Sequence, residues 1–162
     1  MRLAQGVEWG LHACVLLAVI PESAALPAGR LAEYHGVPAA YMAKNLQALS
    51  RAGIVESVPG QKGGYRLARP AGEITLLDVV EAIDGTEPSF RCNEIRRRGP
   101  AAVAAREYRA VCTIAEAMWR ADERWRAELR AQTVGDLVAG LGRAVSPKAV
   151  AKTATWFQEV LP

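Results

Sequence analysis

Residues 53–70 read GIVESVPGQKGGYRLARP, and the fold turns on how they are read. Two short runs rich in β-branched and aromatic residues, Ile54 to Val58 and Tyr65 to Ala68, flank a turn punctuated by Pro-Gly and Gly-Gly and carrying Gln61 and Lys62. That is the pattern of a β-hairpin. Immediately before it, from Pro38 to Ala52, Met42, Leu46 and Leu49 recur at helical spacing, while Tyr41, Lys44, Asn45 and Ala48, continued by Arg51, are placed on the opposite face. A shorter helix is predicted from about Ala28 to His35, broken by Gly36. Two helices joined by a tight Gly-containing turn form a helix-turn-helix, and a hairpin directly after the second helix is a wing. Such a unit places the second helix in the major groove of double-stranded DNA and the basic hairpin tip on the neighbouring backbone. Lys44 and Asn45 are therefore expected at base edges, and Tyr41 and Arg51 at phosphates or bases. Lys62 and Arg66 are expected to add counterion-releasing contacts, with Gln61 and Tyr65 completing the surface. The alternative for these residues is a plain solvated face.

Working outward, Val7, Leu11, Cys14, Val15 and Ala18 mark an amphipathic first helix that ends before Pro21, with Cys14 reading as a small core hydrophobe. After the hairpin, Thr75 and Asp78 have the spacing of a capping box. Leu76, Val79, Val80 and Ile83 then give a buried stripe ending at Asp84-Gly85. Thr113 with Glu116 reads as a second capping box, opening a long helix to about Ala131. Its stripe of Ile114, Met118, Ala121, Trp125 and Leu129 is expected to form a homodimer interface, and a twofold dimer would match an inverted-repeat operator. The fold class is thus mainly α with a small β-hairpin wing: a winged helix-turn-helix with a long dimerisation helix. The expected divisions are 1–86 for DNA binding, 87–112 for a cysteine loop, 113–145 for dimerisation helices and 146–162 for a tail that can be helical.

Composition agrees with one compact unit, since 162 residues with 51% hydrophobic and 23% charged side chains can bury a core. A net charge of +3 permits a polyanionic partner without requiring one. The longest apolar run, Ala13 to Pro21, is too short to span a membrane, so a cytoplasmic protein without membrane association is expected. In that reducing compartment, paired cysteines more often mean metal or redox sensing than a structural disulfide. Two of the three cysteines, Cys92 and Cys112, bracket the segment RCNEIRRRGPAAVAAREYRAVC, in which Arg96, Arg97 and Arg98 read first as a solvated charge run. Cys112 falls at a predicted helix N-terminus, where backbone amides and the macrodipole favour a thiolate.

The stretch YMAKNLQALSRAGIVESVPGQKGGYRLARPAGEITLLDVVEAIDG, residues 41–85, resembles the signature of the Rrf-two family of winged-helix regulators, whose members include iron–sulfur and nitric-oxide sensors. Tyr41, Leu46, Leu49, Ala52-Gly53, Gly60, Gly63-Gly64-Tyr65, Leu67 and Arg69-Pro70 fall in register, and the resemblance covers most of residues 1–145. Pro38 stands where many members carry a serine that caps the recognition helix. Cluster-binding members commonly have three cysteines in a compact loop, and here the central one is missing. The sequence is instead similar to the two-cysteine, RsrR-type branch, which holds a [2Fe-2S] cluster across its dimer with Glu, His, Cys and Cys. That resemblance implies Glu8 in GVEWGLHACV and His35 in LAEYHGV from one subunit, with Cys92 in FRCNEIRRRGP and Cys112 in RAVCTIAEAM from the partner.

His12 competes with His35, because Glu8 and His12 lie at i and i+4 on one helix face. Trp9 neighbours Glu8 and reads either as packing or as a shield for the cluster. The implied function is a regulator whose operator affinity follows the redox state of the cluster. The rival is a metal-free thiol switch through a Cys92/Cys112 disulfide. No nucleophile elbow or dedicated acid/base pair is present, so an enzyme is not expected.

Overall fold

The computed structural model of the chain describes residues 3–61 and 63–161. Its helices and strands run α1 (Gln5–Ala18), α2 (Ala28–His35), α3 (Ala39–Arg51), β1 (Val55–Val58), β2 (Gly64–Leu67), α4 (Leu76–Asp84), α5 (Thr113–Ala131), α6 (Val134–Ala144) and α7 (Pro147–Val160). The molecule is mainly helical with a single antiparallel hairpin among the described residues, in which Val55 faces Leu67 and Val58 faces Gly64. Ile54 stays outside β1 because its amide closes the end of α3 on the Leu49 carbonyl, at 3.0 Å, while its own carbonyl accepts from the Ala68 amide. Leu26 extends the hairpin by pairing both its backbone groups with Tyr65. Gly64 is required at that crossing, since a Cβ there would lie 2.3 Å from the Leu26 backbone.

The turn between α2 and α3 follows from Gly36, which takes a left-handed conformation (φ 63°) and returns its amide to Ala32 and Glu33. Pro38 then precedes α3 and, having no polar side chain, leaves that helix without a side-chain cap. Leu31, Met42, Leu46, Leu49, Ile54, Ile74 and Val79 form the core with Cys14 and Leu17 of α1. Burial pushes the Cys14 thiol up to about 12, so this cysteine is an inert apolar group, as its position in the helical stripe predicts.

Helix α1 is buried over more of its circumference than the single predicted stripe. Val7, Gly10, Ala13, Cys14, Leu16 and Leu17 are buried, whereas Leu11 and Val15 are only half-buried. The cause is packing on two sides, against α3 and α4 and against α6. The Thr75–Asp78 capping box opens α4, with reciprocal bonds of 3.1 and 2.9 Å, and Arg69 adds a 2.9 Å bond to the Asp78 carboxylate.

The second predicted capping box does not form. Thr113 lies inside α5, and Cys112 is the residue at the cap, its thiol set towards the amides of Ile114 and Ala115 without the geometry of a capping hydrogen bond. A capping box that the sequence reading missed, Thr133–Asp136, instead opens α6.

Arg126 fastens α5 to the body of the molecule. It pairs with Asp122 at 2.9 Å and Glu81 of α4 at 2.7 Å, and donates to the carbonyls of Thr86 and Glu87. Of the predicted α5 stripe, Trp125 and Leu129 are half-buried, whereas Ile114, Met118 and Ala121 are exposed. Helix α6, grouped by sequence with α5, packs on α1 and buries Val134 in the core. The residues after Val145 form α7, capped by Ser146 with Pro147 following, and its Trp156, Phe157 and Val160 return to the same core. No described helix is long and apolar enough to cross a membrane.

Candidate functional site

The recognition surface is built on α3. Buried Met42, Leu46 and Leu49 fix the rotation of this helix, which leaves Tyr41 (60% exposed), Lys44 and Arg51 on its outer face. Asn45 departs from the expectation. It is only 8% exposed, its Nδ2 is buried without a hydrogen-bond partner among the described residues, and its Oδ1 lies so near α1 that a Cβ on Gly6 would stand 2.7 Å away. The reason is legible afterwards: Met42, Asn45, Leu46 and Leu49 share the i, i+3, i+4, i+7 positions of one face, so the amide follows the apolar stripe inward. The missing Cβ of Gly6 makes room for it.

The wing also differs from a set of free contacts. Gln61 is exposed, and Lys62 lies outside the described residues. Tyr65 is half-buried and packs against the core, and Arg66 is held by Glu56, its cross-strand neighbour, at 2.6 Å. Arg66 can therefore meet a phosphate only by sharing or leaving that carboxylate.

The second region is the segment between α4 and α5. Cys92 and Cys112 are both free and half-buried. Glu94 adopts a left-handed conformation (φ 45°), and its amide donates to Cys92 Sγ at 3.4 Å. Arg96 grips the Glu94 carboxylate with bonds of 2.5 and 2.9 Å, reaches the Ala110 carbonyl at 3.4 Å and lies 4.8 Å from the centre of the Tyr108 ring. Tyr108 returns a hydrogen bond to the Arg96 carbonyl. Arg96 is thus no idle member of a charge run: it ties the chain just after Cys92 to the chain just before Cys112. The amides of Ala115 and Ile114, with Arg96 beyond them, hold the Cys112 thiol below the usual thiol range despite partial desolvation.

Glu8 and His12 are exposed along a cleft of about 790 Å³ between α1 and α6. His35, at the end of α2, lies with its ring centre 5.4 Å from that of His12, and its Nε2 is buried without a hydrogen-bond partner among the described residues. Burial, and secondarily His12, hold the His35 imidazole below its ordinary pKa and so in the neutral form that ligates metals. Trp9 is half-buried and meets Tyr41 edge-on at 6.1 Å.

Among the described residues of one chain, no three His, Cys, Asp or Glu side chains converge to hold a metal ion, and Glu8 and His35 are not brought together with Cys92 and Cys112. The donor types nevertheless suit a [2Fe-2S] group: an orphaned neutral imidazole nitrogen, a carboxylate and two free thiols, one of them biased towards the thiolate.

A helix-turn-helix followed by a hairpin, with an exposed tyrosine, lysine and arginine on its second helix, defines a winged-helix DNA-binding protein. The family described as "Rrf2: Iron-dependent Transcriptional regulator" matches residues 3–140, and the chain belongs to that family. It is 25% identical over 142 residues to YwgB of Bacillus subtilis, provisionally named an HTH-type transcriptional regulator, covering 88% of this chain and 87% of that one. Similar solved structures include CymR of B. subtilis, described as a global cysteine regulator (TM-score 0.69, 19% identity, covering 86% of this chain and 97% of that one). IscR of T. potens is also similar (TM-score 0.67, 20% identity, 90% and 92%), as is the oxidised form of Staphylococcus aureus CymR (TM-score 0.63, 24% identity, 85% and 96%). The family and fold are those of transcriptional regulators, not of enzymes.

Proposed function

We propose that this regulator acts as a homodimer on inverted-repeat double-stranded DNA, and that its affinity is set by the redox state of a [2Fe-2S] cluster. Glu8 and His35 of one subunit would hold the cluster with Cys92 and Cys112 of the partner. The observation that carries this reading is the buried, unpartnered Nε2 of His35, because a buried polar atom normally finds a partner in the folded protein or in a ligand. When bound, such a group supplies reversible one-electron chemistry at a potential raised by non-thiolate ligands.

The chain's own residues do the rest. His35 ends the first helix of the helix-turn-helix, and Cys112 sits at the start of α5, so a ligand set shared between them links the reading head of one subunit to the long helix of the other. A hundredfold difference in DNA affinity between two states needs about 2.7 kcal/mol of such coupling.

Protein purified without oxygen should be red-brown, carry about two irons and two acid-labile sulfides per subunit, and bleach reversibly with dithionite, on the expectation of one binuclear cluster per chain. A colourless, iron-free protein that stays so after reconstitution contradicts the reading. In that case the second reading, a Cys92/Cys112 thiol switch, takes its place. It is favoured by two free thiols at the ends of one Arg96-braced loop, and by the likeness to CymR, one of whose structures is of an oxidised form.

A further inference from the structure

Helix α7 lies beyond residues 3–140, the part of the chain that the family description matches, yet it is packed against α2. Its inward residues stand at helical spacing: Thr153, Trp156, Phe157 and Val160. The Tyr34 hydroxyl of α2 and Thr153 Oγ1 share a 2.6 Å hydrogen bond, and the Trp156 ring packs on Tyr34 at 4.7 Å between centres. The contact does not stop there. Tyr34 meets His35 in a T-shaped pair at 4.9 Å, and His35 meets His12 of α1 at 5.4 Å. A continuous file of rings, Phe157, Trp156, Tyr34, His35 and His12, therefore runs from α7 through α2 to α1.

Helix α2 needs such support. It has eight residues, follows Pro27 at its cap position without a side-chain cap, and buries only Leu31 and Ala32. A helix this short owes its persistence to packing.

We propose that α7 is a strap on the helix-turn-helix, and that Trp156 and Tyr34 are positioning residues that set the ring of His35. Trp156 and Thr153 fix the Tyr34 ring, and the T-shaped contact with that ring fixes the imidazole, much as outer contacts orient metal-ligating histidines elsewhere. The chemical consequence rests on the ligand role proposed for His35, whereas the mechanical one rests on the contacts alone.

Trp156→Ala, made in the full chain, separates the two. Amide exchange in α2 should accelerate at least about tenfold relative to the amides of Val79 and Val80 in α4, which report global opening. After cluster reconstitution, the electron paramagnetic resonance spectrum of the reduced Trp156→Ala protein should differ from that of wild type, and Trp156→Phe should restore both signals. Thr153→Val, which removes only the hydroxyl, should give a smaller acceleration confined to α2 and serves if Trp156→Ala does not fold. Exchange in α2 that follows α4 in every variant overturns the strap. Faster α2 exchange with an unchanged spectrum overturns the positioning role. Should wild-type protein take up no cluster, the ligand reading fails on its own, and the α2 exchange still decides the strap.

Discussion

Asn45 changes the view of recognition at the scale of single residues. Its place on α3 invites a base-reading role, but the side chain is turned to α1 and wedged against Gly6. Asn45→Asp, which puts a charge in that buried position, should destabilise the protein by about 2–4 kcal/mol, measured by chemical denaturation. Gly6→Ala should cost about 1–3 kcal/mol through overpacking, and much less in an Asn45→Ala background, because the two side chains compete for one space. Additive losses in the double variant would show that Gly6 and Asn45 do not share it.

Lys44 is the contrasting case, an exposed cation on the outer face of the same helix. Lys44→Ala should relax the preference at particular base pairs, costing about 1–3 kcal/mol on the preferred sequence and much less on others. An equal loss on all sequences would remove Lys44 from base reading.

Helix α4 shows at the scale of elements how local chemistry sets both a boundary and a pH response. Desolvation raises the Asp78 carboxyl, but bonds from the Thr75 amide and hydroxyl and from Arg69 outweigh it, and the net pKa lies below the ordinary value. The folded pKa being the lower, the stabilisation from this carboxylate is complete above its unfolded value of about 3.9 and is lost as pH falls through the folded value. Thr75→Ala should cost about 1 kcal/mol at neutral pH, and Asp78→Asn should flatten the loss of stability on acidification below about pH 4. An acid limb identical to wild type would assign that limb to other carboxylates.

Such boundaries were legible in the sequence because the signals are local: Gly36 after His35, Thr75 three before Asp78, the Gly-rich hairpin turn. The predicted Thr113 box failed because Cys112 already occupied the cap position. The tertiary partners were not legible. Nothing near Tyr34 announces Thr153, 119 positions later, and nothing near Arg96 announces its contacts with the Tyr108 ring and the Ala110 carbonyl across a loop. The ligand set was reached only through resemblance to a family, since a lone histidine at a helix end carries no spacing signal. The structure adds the orphaned state of its Nε2.

The whole molecule divides its apolar surface unequally. Helices α1 to α4, α6 and α7 share one core, whereas the first half of α5 leaves Ile114 65% exposed, with Met118 and Trp119 also open. An exposed apolar helix face of this kind marks an interaction surface, and the homodimer proposed above would cover it. Ile114→Glu with Met118→Glu should leave the helical circular dichroism unchanged while halving the mass measured by sedimentation equilibrium and abolishing tight binding to inverted repeats. Retention of the wild-type mass would place the dimer contact elsewhere.

Cluster control of DNA affinity is tested most directly on one inverted-repeat duplex obtained by in vitro selection. Its dissociation constant would be measured at fixed salt for oxidised, reduced and cluster-free protein, with Glu8→Ala, His35→Ala, Cys92→Ser and Cys112→Ser alongside. The expected result is an affinity that differs between redox states by about tenfold or more, corresponding to at least about 1.4 kcal/mol of coupling, with each ligand variant fixed at a single value. Equal affinity in all three states, with the variants indistinguishable from wild type, would contradict redox control and leave a winged-helix regulator that answers to another signal.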